Sequence, residues 1–174
     1  MTERRRTVGQ PSAAFTGDRG DADPLVRQLI ADASDPLGYA RAVVALCTTR
    51  LLMPIVATGD DTPHADPDRH AEMAAVSVTN ASGEKALLAF TGIDAQQAWD
   101  AAARPVLCTL DDLAATVDEA GAVALVLDIA GPAPFTIEGD MLGPLAAGQR
   151  LVEFDDGSFG WVQFARPAMA SHHT

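Results

Sequence analysis

Residues 122–130 read AVALVLDIA, a nearly unbroken apolar run between Gly121 and Gly131-Pro132. The run is far below the roughly 20 residues of a membrane span. It also lacks the apolar–polar alternation of a strand with one wet face. Such a run is best satisfied as a central strand covered on both faces, so the fold must supply an apolar layer on each side of it. The stretch upstream has the right parts. "LLAF" (87–90) ends in Thr91-Gly92, and a helical spacing follows in Ala95, Ala98, Trp99 and Ala102. "VLCT" (106–109) comes after Arg104-Pro105, and "LDDLAATVDEAG" (110–121) sets Leu110, Leu113, Ala114 and Val117 on one face. Thr109 is the cap of that second helix and Gly121 its stop.

The rest of the chain surrounds this β-α-β-α-β series. Asp23-Pro24 and Asp35-Pro36 each predict an N-cap followed by proline in the first turn. In the second of these helices Leu37, Ala40, Val43, Val44 and Cys47 share a face. "LLMPIVA" (51–57) reads as a strand, and Pro54 predicts an edge position or a bulge. "MAAVSVT" (73–79) and "ALLAF" (86–90) flank "NASGEK", which predicts an antiparallel hairpin. After a "GPAP" turn comes a short strand "FTIEG", then a helix "MLGPLAAG" with Asp140 as its cap. "LVEFDDGSFGWVQF" forms a hairpin around Asp156-Gly157. The fold class is α/β with a mixed sheet: N-terminal helices, a three-stranded antiparallel meander continuing into β-α-β-α-β, and a C-terminal hairpin. The expected divisions are a flexible arm over 1–22, the α/β domain over 23–148, the hairpin extension over 149–166 and a frayed tail over 167–174.

Composition limits the function. The chain carries 12 Lys+Arg against 24 Asp+Glu, a net charge of −12. Nucleic-acid binding needs a basic footprint, so no nucleic-acid partner is expected. Arg4, Arg5 and Arg6 form the sole basic cluster, and no apolar segment of a signal peptide follows them. The reading is a cytoplasmic chain with no membrane partner.

Candidate chemistry is sparse. The loop "DDTPHADPDRH" brings Asp60, Asp61, His64, Asp66, Asp68 and His70 close in sequence, and hard divalent cations favour such carboxylates. Pro63 and Pro67 interrupt it, and it lacks the Asp-x-Asp-x-Asp-Gly pattern of a calcium loop. We read it as a solvated acidic loop. Cys108 stands just before a helix start, where a thiol can become nucleophilic, but Asp111 and Asp112 push the opposite way. No serine elbow, dinucleotide fingerprint or phosphate-binding glycine loop occurs. No catalytic, cofactor-binding or metal-binding residue is therefore assigned, and no cofactor is expected. The junction "FTGIDAQQAW" is read as architecture: Gly92 allows the turn, Asp94 caps the helix with Gln97 three residues on, and Trp99 locks helix to sheet.

"LLAFTGIDAQQAW", followed by "RPVLCTLDDLAATVDEAGAVALVLDIAGPAPFTI", resembles the SseB N-terminal-domain family. Phe90, Thr91, Gly92, Trp99, Leu113, Gly121, Leu127, Gly131 and Pro132 stand at matching places. The strand 51–57 looks like that family's first, proline-bearing strand, and the likeness runs over roughly residues 36–147. The resemblance implies a compact bacterial α/β domain without established catalytic residues. This chain departs from the pattern at Asp128, where the family often has Asn. Two classes of function follow. The first is a non-catalytic interaction module working through a protein partner or self-association, with Phe154, Phe159, Trp161 and Phe164 of the hairpin as candidate contacts. The alternative is a metal- or small-molecule-dependent enzyme centred on loop 60–70 or Cys108.

Overall fold

The computed structural model describes residues 17–58 and 72–163. Helices α1 (Pro24–Ala31) and α2 (Pro36–Leu46) start as the Asp-Pro pairs predict: Asp23 accepts from the Leu25 amide at 2.8 Å and Asp35 from the Gly38 amide at 2.7 Å. The strands are β1 (Leu51–Thr58), β2 (Glu72–Ala75), β3 (Ser77–Thr79), β4 (Lys85–Ala89), β5 (Arg104–Cys108), β6 (Ala124–Leu127) and β7 (Phe135–Glu138). Between them lie α3 (Ile93–Trp99) and α4 (Leu110–Glu119), and the chain continues into α5 (Leu142–Ala146) and a hairpin of β8 (Gln149–Glu153) and β9 (Phe159–Gln163).

One group of strands runs β2-β1-β5 and another β3-β4-β6-β7. The two are joined where Leu52 and Phe90 exchange backbone hydrogen bonds at 2.9 and 2.8 Å. The segment β2–β3 is a wedge between them, with β2 on β1, β3 on β4, and Val76 at the break donating to Pro54 O. The hairpin β3–β4 is antiparallel, as its turn residues predict. β6 pairs parallel with β4 and antiparallel with β7, so the apolar run 122–130 yields a central strand.

Period-two alternation then sorts side chains between two apolar layers. Leu51, Met53, Ile55, Leu87, Ala89, Leu125 and Leu127 enter the larger core, beneath α1, α2, α4 and α5. Leu52, Leu88 and Phe90 face the other way and meet Ile93, Ala95 and Trp99 of α3, with Val126 beside them. The Trp99 ring lies 5.6 Å from that of Phe90, so α3 is pinned to the sheet as expected. Thr109 and Asp112 close a reciprocal capping box at the start of α4. At its end Gly121 takes φ +63°, and the Ala122 and Gly121 amides bond back to Val117 and Asp118 in a Schellman arrangement.

Four expectations need correction. β1 is not an edge strand: it lies between β2 and β5, and Pro54 faces Pro105 across the β1–β5 ladder. The Pro54 carbonyl points to Val76, so its missing N–H falls at the β2–β3 break, where no ladder bond is lost. On α2, Leu37 is 46% exposed, because the buried stripe is Ala42, Val43 and Leu46, with Tyr39 partly buried beside it. That helix is apolar around most of its circumference, so periodicity alone fits more than one register. On α3, Ala98 is exposed while Gln96 is fully buried, its amide donating to Ala103 O at 3.0 Å. Asp140 lies inside a 3₁₀ turn (Gly139–Met141) and makes no cap for α5.

Candidate functional site

The carboxyl ends of the parallel pair β4 and β6 lie side by side, and in open α/β sheets the space beyond such ends is where ligands bind. In this molecule the place holds a closed polar knot. Strand β6 is followed by Asp128, whose amide donates to Ala89 O at 3.0 Å and whose φ is +51°. Among non-glycine residues, Asp and Asn tolerate that left-handed backbone best. The Asp128 carboxylate is buried and accepts from the Thr91 amide at 2.9 Å and the Thr91 hydroxyl at 2.6 Å. The Thr91 hydroxyl in turn accepts from Arg27 Nε at 3.0 Å, and Thr91 O accepts from Arg50 at 3.1 Å. The buried Asp128 side chain is thus linked through the Thr91 hydroxyl to an arginine 64 residues from Thr91 in sequence.

Arg27 also forms a two-pronged ion pair with Asp94, both bonds at 2.7 Å. This corrects the reading of Asp94 as a helix cap: Gly92 holds the N-cap position of α3, and no side chain caps it. The Arg27 hydrogen bonds hold the Asp94 carboxyl below its ordinary value. Arg50, only 11% exposed, pairs with Asp18 at 2.8 Å and donates to Asp21 O. The Asp18 carboxyl is lowered by that bond and by the Gly20 amide. Gly20 is buried, and its carbonyl accepts from the Ile93 amide at 2.7 Å. Residues 17–22, expected within the flexible arm, therefore form a strap across the Phe90–Gly92 turn.

Sequence reasoning found this turn but missed the partners that close it. Arg27, Arg50 and Asp18 carry no local pattern, because each acts over a long separation. Asp128 did leave a signal: a carboxylate ending an otherwise apolar run beside a glycine-proline turn.

Cys108 is buried at the end of β5, with its thiol against Leu51 O at 3.6 Å. Burial first, and the Asp112 charge second, push this thiol up to about 12. That burial works against the thiolate a nucleophile needs. Cys47 is likewise raised by burial. Loop 60–70, with Asp60, Asp61, His64, Asp66, Asp68 and His70, lies outside the described residues, as do Phe164 and the tail 167–174. Among the described residues no three His, Cys, Asp or Glu side chains gather to hold a metal ion, and no helix is long and apolar enough to cross a membrane.

The hairpin has two unlike faces. Leu151 is in the main core, and Phe159 and Trp161 pack against it. Alternation places Val152, Gly160 and Val162 on the opposite face. There the Phe154 ring covers Gly160, where an added Cβ would come within 2.7 Å of it. Phe154 remains 48% exposed.

A mixed sheet with helices on both faces, a β4–β6 parallel pair and a polar knot at its carboxyl ends defines an α/β domain of the kind the sequence resembles. The SseB protein N-terminal domain model matches residues 25–143, and the chain belongs to that family. Compared with curated proteins and with solved structures, the chain matches none.

Proposed function

We propose that this chain is a non-catalytic, cytoplasmic protein-interaction module of the SseB type, engaging a protein partner or a second copy of itself. Phe154 carries this reading. A large aromatic ring stands half exposed on a hairpin whose other face is anchored by Leu151, Phe159 and Trp161. Val152 and Val162 share that outer face with Arg150. Aromatic residues are enriched in the central contacts of protein interfaces. The polar residues at the β4–β6 ends support the same reading, since Thr91, Asp128, Arg27 and Arg50 all have intramolecular partners. The test is light scattering on the full chain across a concentration series, with Phe154→Ser beside it. The module reading expects a complex or multimer mass that the substitution lowers. A monomer mass throughout, identical in both proteins and unchanged in extract from the native host, would sink it.

A further inference from the structure

We propose that the surface formed by Gly92, Ile93 and Arg50 is a seat for a turn-forming peptide bearing an aspartate two residues before a glycine, and that Asp18–Ala22 occupies it in cis. The inference rests on the interaction-module reading and names a partner class for a second place on the same domain. The strap makes the contacts a bound peptide makes. Its Asp18 carboxylate meets Arg50 Nε at 2.8 Å, the Gly20 carbonyl takes the Ile93 amide at 2.7 Å, and the Asp21 carbonyl takes the second arm of Arg50. The Gly20 amide folds back on Asp18 at 2.7 Å, which fixes the aspartate-x-glycine spacing.

Shape narrows the occupant further. A Cβ on Gly92 would come within 2.7 Å of Ala22 Cβ and 2.9 Å of Ala22 N, so the bare backbone of the seat presses against the methyl and amide of Ala22. Gly20 has φ +82°, and a Cβ there would sit 3.1 Å from Ile93 Cβ. The occupant must therefore carry glycine at that point. Arg50 gives the seat a positive charge in a chain of net charge −12, which selects a carboxylate. The family match begins at residue 25, after the strap. The seat thus belongs to the family domain, while the occupant precedes the matched region. A tethered strap has an effective concentration of about 1 mM or more, so a free peptide competes poorly until the strap is weakened.

The test is fluorescence anisotropy with a labelled, end-blocked peptide of sequence GDRGDA, which copies residues 17–22. The full chain serves as receptor, either wild type or with Asp18→Ala and Gly20→Val together to open the strap. The expected result is an apparent Kd at least tenfold lower for the opened chain than for wild type. The peptide with its first aspartate changed to asparagine should lose about that same factor, as should adding Arg50→Ala to the opened chain. Asp18→Ala alone repeats the measurement should the double variant fail to show a cooperative thermal transition. An opened, folded chain that does not bind the peptide, or that binds the asparagine peptide equally well, overturns the proposal. If the mass in solution still depends on Phe154 in that case, the cis-occupied seat falls while the interaction-module reading stands.

Discussion

The turn at Phe90–Gly92 and the hairpin at 149–163 are both places where strands end at the surface, yet they are built in opposite ways. At the first, polar groups dominate and nearly all are bonded within the chain: Thr91 uses its amide, hydroxyl and carbonyl on Asp128, Arg27 and Arg50. At the second, the outer face carries Val152, Val162 and Arg150, and a phenylalanine ring lies half in water over a glycine. The lesson is that charge and hydrogen bonding at the first region secure architecture, while the second leaves an aromatic ring exposed, where the proposed interaction would lie. Substitutions in the knot should therefore lower stability, and substitutions on the outer hairpin face should lower association.

The largest expected effect is at Asp128. Asp128→Ala leaves the buried Thr91 amide and the Thr91 hydroxyl hydrogen without an acceptor, and each buried donor so orphaned costs about 1–3 kcal/mol. Asp128→Asn keeps an acceptor for Thr91 and tolerates φ +51°, so it should retain most of the stability. Urea unfolding of the two variants measures the difference, and equal losses would break the architectural account of the knot.

Gly92→Ala comes next. Its Cβ would collide with Ala22 and with Asp94, which overpacking values place at about 1–3 kcal/mol. Hydrogen exchange should then rise at the Ile93 amide, which bonds to Gly20 O, before it rises in β6.

Phe154→Ser reverses the pattern. Losing a ring from a cross-strand position should cost no more than about 1 kcal/mol in urea unfolding, while the mass in solution falls. A large stability loss with unchanged mass would make the hairpin face structural and erase the contrast between the two regions.

The smallest effect concerns pH. The folded Asp18 carboxyl titrates below its ordinary value because of Arg50. Its stabilising contribution is present above the unfolded value of about 3.9 and is lost as pH falls through the lower folded value. The Ile93 amide resonance, followed down an acid titration, should show that transition in wild type and lack it in Asp18→Asn.

The architecture was largely legible in the sequence because it depends on short-range pattern. The apolar run at 122–130 demanded cover on both faces and received it, and Asp23, Asp35 and Thr109 capped where their spacing predicted. Legibility failed where local pattern was degenerate or partners were remote. α2 is apolar nearly all round, so Leu37 was assigned to the wrong side. Pro54 suggested an edge because its missing N–H must avoid a ladder, and only the break at Val76 reveals how an internal strand accommodates it. The knot was legible at one end alone. Asp128 entered the sequence reading only as a departure from the family pattern, and Arg27 and Arg50 reach Thr91 across 64 and 41 residues, with no spacing rule to connect them.

The most direct test of the central claim is native mass spectrometry of untagged protein purified from its own host without chelators. The account predicts the mass of a multiple of this chain or of a complex with another protein, reduced toward the bare chain by Phe154→Ser. A single chain carrying a metal- or metabolite-sized excess, lost when the acidic residues of loop 60–70 are neutralised, would contradict it and make this a ligand-using protein.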